Sequence, residues 1–289
     1  MKAYLLSLVD SANIADQWDY GFLKDFLEDN GFDIQECSEL TPDETAIVVV
    51  PARHHKGLEL KLDYELSKIL HVVLFLMGDE EAEFDVDKIQ HPSIHIWVQN
   101  PHMGKHDKYH KLGTGQPQHT RDILKAIVTP INKGLDIYFA GQVTHKRRTE
   151  LTDVLVDMEL TNKNIRVVRT KGFTQGETPL DYTMSMVSAK IAPAPSGAVI
   201  PDSFRLFEAL ECMAIPIADQ KTASGEVMEY WDWLFAEAVP FPKIVDWDRL
   251  FGLVPELLEE WPHNMHKQTA WWIKYKRDFK LEVMGQLNG

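Results

Sequence analysis

Apolar residues in the first half of the chain fall into short continuous runs, separated by stretches with the spacing of amphipathic helices. The continuous runs predict strands of a buried parallel sheet at 4–9, 46–50, 71–76 and 94–98. Helices are predicted at 17–29 and 56–70. Residues 99–120 are polar and rich in His and Gly, which predicts a long exposed loop. This order of elements is that of an open α/β sheet.

The second half repeats the alternation after a short helix at 121–128 and a break at Thr129-Pro130. Strands are predicted at 136–140, 165–169, 190–194 and 215–217. Helices are predicted at 145–158, 179–187 and 203–212. We therefore predict two doubly wound α/β domains, residues 1–130 and 131–262. The C-terminal segment, 263–289, is predicted to form a helix that crosses back to the first domain.

Composition is that of an ordinary globular protein. The chain has 289 residues, of which 44% are hydrophobic, enough for two domains with their own cores. No run approaches the ~18 apolar residues of a membrane span, and the apolar N-terminal part is short for a signal peptide. Cys37 and Cys212 do not make a disulfide framework. We expect a cytoplasmic protein with no membrane partner.

The net charge of −14 argues against tight nonspecific binding to phosphate backbones, which requires a basic surface. A local basic patch can still oppose the overall balance. The nearest candidates are Lys146, Arg147, Arg148, Arg166, Arg169 and Lys171. These charges belong either to a solvated face or to a binding site. The acidic net charge therefore does not exclude a nucleic-acid base as a ligand.

The segment after the strand at 190–194 has the features of an anion-binding site. A Gly/Pro loop leads to Asp202 and Ser203, which are residue types that cap helices. Arg205 and Glu208 are three residues apart, so they share a face near the N-terminus of the predicted helix. Free N–H groups, a hydroxyl and an Arg attract a phosphate, and a Glu one turn further accepts ribose hydroxyls. This constellation suits a nucleoside diphosphate.

Each of these residues also has a purely structural interpretation. Arg205 and Glu208 would then form an exposed ion pair of little energetic value. Ser203 would only cap the helix. Gly197, in the preceding loop, would shape a turn rather than let a ligand approach the backbone.

The same segment resembles the donor site of the exostosin-type glycosyltransferases. The matching residues are Pro195, Gly197, Ser203, Phe204, Arg205, Phe207, Glu208, Ala209, Leu210, Ile215, Pro216 and Ile217. A second matching piece comprises Tyr138-Phe139-Ala140-Gly141-Gln142, His145, Arg147, Arg148 and Leu151. The resemblance covers about residues 134–220. A less specific similarity, to short glycosyltransferase-like proteins of phages and bacteria, involves Gly78-Asp79-Glu80-Glu81 and the region from Tyr230-Trp231 to Pro242.

This resemblance implies the GT-B arrangement, in which two Rossmann-like domains face a cleft that holds the ligand. It also implies a UDP-type sugar donor held by Ser203, Arg205 and Glu208, and a single inverting displacement that needs no further cofactor. Arg147 or Arg148 would stabilise the diphosphate leaving group. The acceptor is a hydroxyl of a glycan, of a protein or of a modified nucleobase.

An inverting transfer needs a base that takes the proton of the acceptor hydroxyl. Asp79 and Glu80 directly follow the strand at 71–76 and are the candidates, with His54, His55 and Asp10 next in line. Their alternative interpretation is a turn of solvated acids. Paired acids would also suit a metal-bound diphosphate, but no metal is predicted, since that chemistry belongs to a different fold.

Two further clusters have weaker functional interpretations. His102, His106 and His110 have the spacing of metal ligands on a helix, but nearby glycines favour a loop with solvated or acceptor-contacting imidazoles. The aromatic run Tyr230-Trp231-Asp232-Trp233 is more typical of a core than of a sugar-stacking surface. The sequence therefore predicts a glycosyltransferase. The alternatives are a non-catalytic nucleotide-sugar-binding module, or an epimerase or phosphorylase of similar fold.

Overall fold

The structure, a computed structural model, describes residues 1–9, 17–129, 131–172 and 175–288. The chain divides into two compact units. Unit 1 consists of Met1–Gln118 and Tyr275–Gly289, and unit 2 of His119–Lys274. Each unit contains one sheet whose strands all pair in parallel. Pro130 of the predicted break between domains lies outside the described residues.

Unit 1 has a six-stranded sheet in the order β2-β1-β3-β4-β5-β6. Its strands are β1 (Lys2–Leu6), β2 (Asp33–Cys37), β3 (Asp43–Pro51), β4 (Ile69–Met77), β5 (Ile94–Gln99) and β6 (His110–Leu112). Helices α1 (Gly21–Asp29) and α2 (Glu59–Leu66) connect the strands, and α3 (Gln118–Ala126) follows β6. Short 3-10 turns lie at Trp18–Tyr20, Ala52–His54 and Val86–Lys88.

The core of unit 1 follows from the apolar runs in its central strands. In β3 and β4, Val48 lies opposite Leu74, and both side chains are buried. Side chains from successive residues point to opposite faces, so a continuous apolar run is buried only when both faces are covered. The edge strand β2 has the sequence Asp-Ile-Gln-Glu-Cys and is partly exposed, so it has no apolar run to reveal it.

Unit 2 has a five-stranded sheet in the order β11-β10-β9-β7-β8. Its strands are β7 (Leu135–Gln142), β8 (Ile165–Thr170), β9 (Ala189–Ala194), β10 (Ile215–Asp219) and β11 (Lys243–Ile244). Its helices are α4 (Lys146–Glu159), α5 (Pro179–Ser188), α6 (Phe204–Glu211), α7 (Tyr230–Phe235) and α8 (Leu250–Glu259). Helix α9 (Trp261–Leu287) runs from unit 2 into residues of unit 1.

Helices cover both faces of the unit 2 sheet. Leu151 and Leu155 of α4, with Val254 of α8, pack on one face. Met186 of α5 and Ala209 of α6 pack on the other face. The predicted α/β class, with two parallel sheets flanked by helices, is thereby confirmed. No helix in the described part of the chain has the length and apolar character to cross a membrane.

The predicted loop at 99–120 differs from the structure. It contains β6, which pairs with β5, and the residues from Leu112 to Pro117 are buried. The physical reason is that this segment packs against its own unit: Gln99 of β5 donates a hydrogen bond to the carbonyl of Thr114. Contacts of this kind are long-range, so local polarity does not reveal them.

Candidate functional site

The order of the strands marks one position in each sheet where a ligand is expected. In unit 2, β7 lies between β9 and β8, so the connections that leave β7 and β9 go to opposite faces of the sheet. Open parallel sheets bind ligands outside the carboxyl ends of the two strands at such a switch point. Gly141 and Gln142 end β7 there, and Pro195 follows β9.

Gly197 shapes the loop that leaves β9. Its N–H donates a hydrogen bond to the carbonyl of Ile200 at 3.0 Å. A Cβ atom at this position would lie 2.4 Å from the carbonyl oxygen of Asp202. The loop therefore folds back on itself so closely that only glycine fits without a shift of the backbone.

Two buried hydroxyls lie on the segment between β9 and α6: Ser196 closely follows β9, and Ser203 directly precedes α6. Ser203 precedes the helix with extended backbone, and its side chain makes no capping hydrogen bond. Neither its Oγ nor the Oγ of Ser196 has a hydrogen-bond partner among the residues the structure describes. Both residues are buried, and a buried hydroxyl without a partner costs free energy. Ser203 is available to an oxyanion at the N-terminus of α6, and Ser196 is available to one at the end of β9.

Arg205 joins α6 to the end of β7, two segments that are distant in the sequence. Its Nε donates to the carbonyl of Ala140, near the end of β7, at 2.8 Å, and its guanidinium lies 5.3 Å from the ring centre of Phe139. A Cβ atom at position 141 would lie 2.1 Å from its Nη2, so the absence of a side chain at Gly141 makes room for the guanidinium. The half-buried Arg205 thus lies at the switch point.

Glu208 is buried and does not form an exposed ion pair. Its carboxylate accepts hydrogen bonds from the hydroxyls of Tyr182, at 2.6 Å, and Thr120, at 3.4 Å. Burial raises the pKa of Glu208, and the Arg205 guanidinium opposes this shift. Tyr182, on α5, is a partner that sequence reasoning missed, because nothing in its neighbourhood along the chain points to α6.

Arg147 is buried and paired with carboxylates. Its Nη2 and Nε donate to Asp219, at the end of β10, at 2.7 and 3.1 Å, and its Nη1 donates to Glu150 at 2.6 Å. Burial raises the pKa of Asp219, and the guanidinium opposes that effect. This pair ties the first turn of α4 to the sheet.

Arg148 lies against the loop that carries Gly197. It donates to the carbonyl of Ser196 from Nε and Nη2, at 3.3 and 3.2 Å, and to the carbonyl of Gln142 from Nη1. The side chain of His145 also lies 3.3 Å from the Ser196 carbonyl. Of the two adjacent arginines, Arg148 is therefore the one that contacts the switch-point loops, and the predicted diphosphate contact stays a prediction for both.

The predicted base candidates lie after β4 in unit 1. Asp79 is buried, and its two oxygens accept the backbone N–H groups of Glu83 and Phe84 at 2.9 Å each. Its carboxylate thus holds the turn in shape. Glu80 is half-buried and is the more accessible carboxylate of the two. The role of either as a base stays a prediction.

The alternative base His55 is a structural residue. Its Nε2 accepts the backbone N–H of Leu8 at 2.8 Å, so its Nδ1 carries the proton and donates to the carbonyl of Pro51 at 2.9 Å. Burial lowers its pKa, which keeps the ring neutral. His54 is exposed, and Asp10 lies outside the described residues.

The three histidines of segment 102–110 do not converge. His110 lies on β6, where it stacks on Trp97, and its Nδ1 lies 2.8 Å from the Glu282 carboxylate. His106 is buried, and neither ring nitrogen has a hydrogen-bond partner in the described part of the chain. Within that part, no cluster of three or more His, Cys, Asp or Glu side chains is arranged to hold a metal ion.

The aromatic residues of α7 belong to the core, as predicted. Tyr230 and Trp231 are fully buried. The Tyr230 hydroxyl donates to Asp202 at 2.9 Å, and the Trp231 indole N–H donates to the carbonyl of Asp219 at 2.9 Å. These rings therefore fix two residues beside the switch point of unit 2.

No protein-family model matches the chain, and no curated protein matches it significantly.

Proposed function

We propose that this protein is a glycosyltransferase whose unit 2 binds the diphosphate of a nucleotide sugar at the switch point between β7 and β9. The observation that carries the proposal is that the segment between β9 and α6 contains two buried, unpartnered hydroxyls, Ser196 and Ser203, while Arg205 of α6 reaches the end of β7 at the switch point. Hydroxyls, the N–H groups of a helix N-terminus and a guanidinium together match the oxygens of a phosphate. Glu208 would accept the ribose hydroxyls.

The proposed donor is a UDP-type sugar, and the proposed architecture is GT-B. Two open parallel α/β units in one chain are compatible with that architecture. The resemblance of residues 134–220 to exostosin-type enzymes supports both assignments, since Arg205 contacts the strand that carries the second matching piece. This resemblance also favours inversion at the anomeric carbon.

In the proposed reaction, the oxygen of an acceptor hydroxyl attacks the anomeric carbon of the sugar. A new C–O bond forms as the bond to the diphosphate oxygen breaks, and the nucleoside diphosphate leaves with the bonding electron pair. The acceptor proton passes to a base, for which Asp79 and Glu80 are the candidates. Charge that develops on the leaving diphosphate would be stabilised by Arg205 and the two hydroxyls.

The first test is calorimetric titration of the full chain with UDP and with uridine. Arg205→Ala should weaken UDP binding by about 1.5–3 kcal/mol, the usual value of hydrogen bonds to a charged group. Binding of uridine should change much less, because the guanidinium acts on the phosphates. Arg169→Ala is the matched control, since Arg169 forms an exposed ion pair with Asp153 in the same unit. Equal losses for UDP and uridine would make Arg205 a structural residue.

The second test separates an enzyme from a binding module. The protein is incubated with a panel of nucleotide sugars, and release of free sugar by slow donor hydrolysis is followed. Hydrolysis of one donor, abolished in Arg205→Ala, supports a transferase. Binding without hydrolysis would indicate a non-catalytic module, and conversion of the donor to an isomeric nucleotide sugar would indicate an epimerase.

A further inference from the structure

The sheet of unit 1 has its own switch point, between β1 and β3, which lie side by side and whose connections contain Asp19 and Arg53 respectively. The Nη2 group of Arg53 donates to the Asp19 carboxylate at 2.7 Å, so a charged pair spans this position. The pair is asymmetric: the side chain of Asp19 is 4% exposed, whereas that of Arg53 is 39% exposed. The cation therefore faces solvent where open parallel sheets bind ligands.

The surroundings hold this guanidinium in one orientation. Gly78, with a φ of 69°, has no side chain, and a Cβ there would lie 2.5 Å from Nη2 and 2.7 Å from Nε of Arg53. Gln99 fixes both neighbours, since its side chain accepts the Gly78 N–H at 3.0 Å and donates to the Asp19 carbonyl at 2.6 Å. The edge formed by Nε and Nη2 thus faces Gly78 and Asp19.

Among the described residues, the guanidinium makes one hydrogen bond, from Nη2 to Asp19, so Nη1 and the second N–H of Nη2, which form its second edge, have no partner. A guanidinium binds carboxylate and phosphate through two parallel N–H groups. We propose that Arg53, oriented by Asp19, binds an oxyanion of the ligand at the switch point of unit 1. If the proposed function holds, this ligand is the acceptor, and the acceptor is an acidic molecule that carries a carboxylate or a phosphate.

The test is titration of the full-length chain with glucose 6-phosphate, gluconate and glucose. These probes share a six-carbon polyol and differ in phosphate, carboxylate or no charge. At least one anion should bind at least about tenfold more tightly than glucose, and the tighter of the two identifies the anionic group. Binding of glucose as tight as that of both anions, or no binding of either anion, overturns the proposal.

Variants of Arg53 test whether the anion binds at this residue. Arg53→Ala should weaken binding of the anion by about 10- to 100-fold, the range for charge-assisted hydrogen bonds. Arg53→Lys can still neutralise Asp19 and keep the fold, but it lacks the second edge, so it should retain the melting temperature and lose most of the affinity. Arg277→Ala is the matched control, because Arg277 is an exposed arginine of the same unit. Unchanged affinity in Arg53→Ala and Arg53→Lys would place the anion elsewhere.

UDP titration of the same variants separates this proposal from the proposed function. Both Arg53 variants should bind UDP as the wild type does. If UDP does not bind the wild type but Arg53→Ala still loses anion binding, the anion site is supported. The bound anion can then no longer be assigned as the acceptor of a glycosyl transfer. Loss of UDP and anion together in Arg53→Lys would show that Arg53 is not a separate site.

Discussion

At the scale of single residues, the absence of a side chain determines how the loops approach each other at the switch points. Gly197 lets its loop fold back onto Asp202, and Gly141 leaves space for the guanidinium of Arg205. Gly78 does the same for Arg53 in unit 1. At each position the missing side chain leaves space for an atom of a residue that is not a neighbour in the chain, and at Gly78 the positive φ of 69° also favours glycine.

Gly197→Ala should destabilise unit 2 by about 1–3 kcal/mol, because its Cβ would lie 2.4 Å from a backbone oxygen and the loop must shift. Gly252→Ala is the control: Gly252 is an exposed residue of α8 with no atom within 4 Å of a Cβ, so alanine should stabilise the helix by up to about 1 kcal/mol. Thermal unfolding of both variants measures the difference. Equal melting temperatures would contradict the packing argument.

At the scale of elements, the buried ion pair of Arg147 and Asp219 connects α4 with β10. The side chain of Asp219 is fully buried and that of Arg147 is 4% exposed. Both charges lose their hydration; Asp219 is compensated by Arg147, and Arg147 by Asp219 together with the partly exposed Glu150. The Arg147 guanidinium also makes a cation–π contact with Trp247, whose ring centre lies 5.5 Å away. The N-terminal turn of α4 is thereby held beside the loop of Gly197.

Asp219→Asn should cost about 3–5 kcal/mol of stability, since it removes the buried carboxylate that bonds two nitrogens of Arg147 and leaves only the partly exposed Glu150 to compensate the charge. Asp153→Asn removes the partner of Arg169 in an exposed pair and should cost less than about 1 kcal/mol. Urea unfolding followed by circular dichroism compares the two. A double variant, Arg147→Met with Asp219→Asn, should recover part of the loss because no charge is then stranded. Similar costs for the two single variants would show that the buried pair is not needed.

At the scale of the whole molecule, unit 1 is completed by residues from the far end of the chain. Phe279 of α9 packs against the rings of Phe22, Phe26, Phe75 and Trp97, with centroids 5.0–6.2 Å apart. Trp97 also donates its indole N–H to Gln286 at 2.9 Å. The C-terminal segment therefore supplies part of the aromatic core of unit 1.

Phe279→Ala should destabilise unit 1 by about 3–5 kcal/mol, the usual cost of removing a buried aromatic ring. The effect should be local: amide hydrogen exchange should accelerate in β4 and β5, which carry Phe75 and Trp97, and change little in β9 of unit 2. Leu281→Ala, at an exposed position of the same helix, is the control. Equal acceleration in β9 would contradict a contribution confined to unit 1.

The pattern of the sequence predicted the parts of the fold that depend on local periodicity. Apolar runs identified β3, β4, β5 and the strands of unit 2 down to β10, because a strand buried on both faces needs continuous apolar residues. Strands β2, β6 and β11 were missed, since all three are short and partly exposed. Their pairing depends on backbone hydrogen bonds to neighbours, which leave no local signature.

For the candidate site, the sequence by itself determined which residues precede and begin α6, and therefore that Ser203 and Arg205 lie at the start of that helix. Only the tertiary structure decided which groups are bound to one another: Glu208 to Tyr182, Arg147 to Asp219, and Arg53 to Asp19. The physical reason is that hydrophobic periodicity reports which face of a helix or strand is buried, and residues of the same element share that face. The partner of a buried charge is set by desolvation and geometry, and it comes from whichever strand end or helix the fold brings within hydrogen-bond distance.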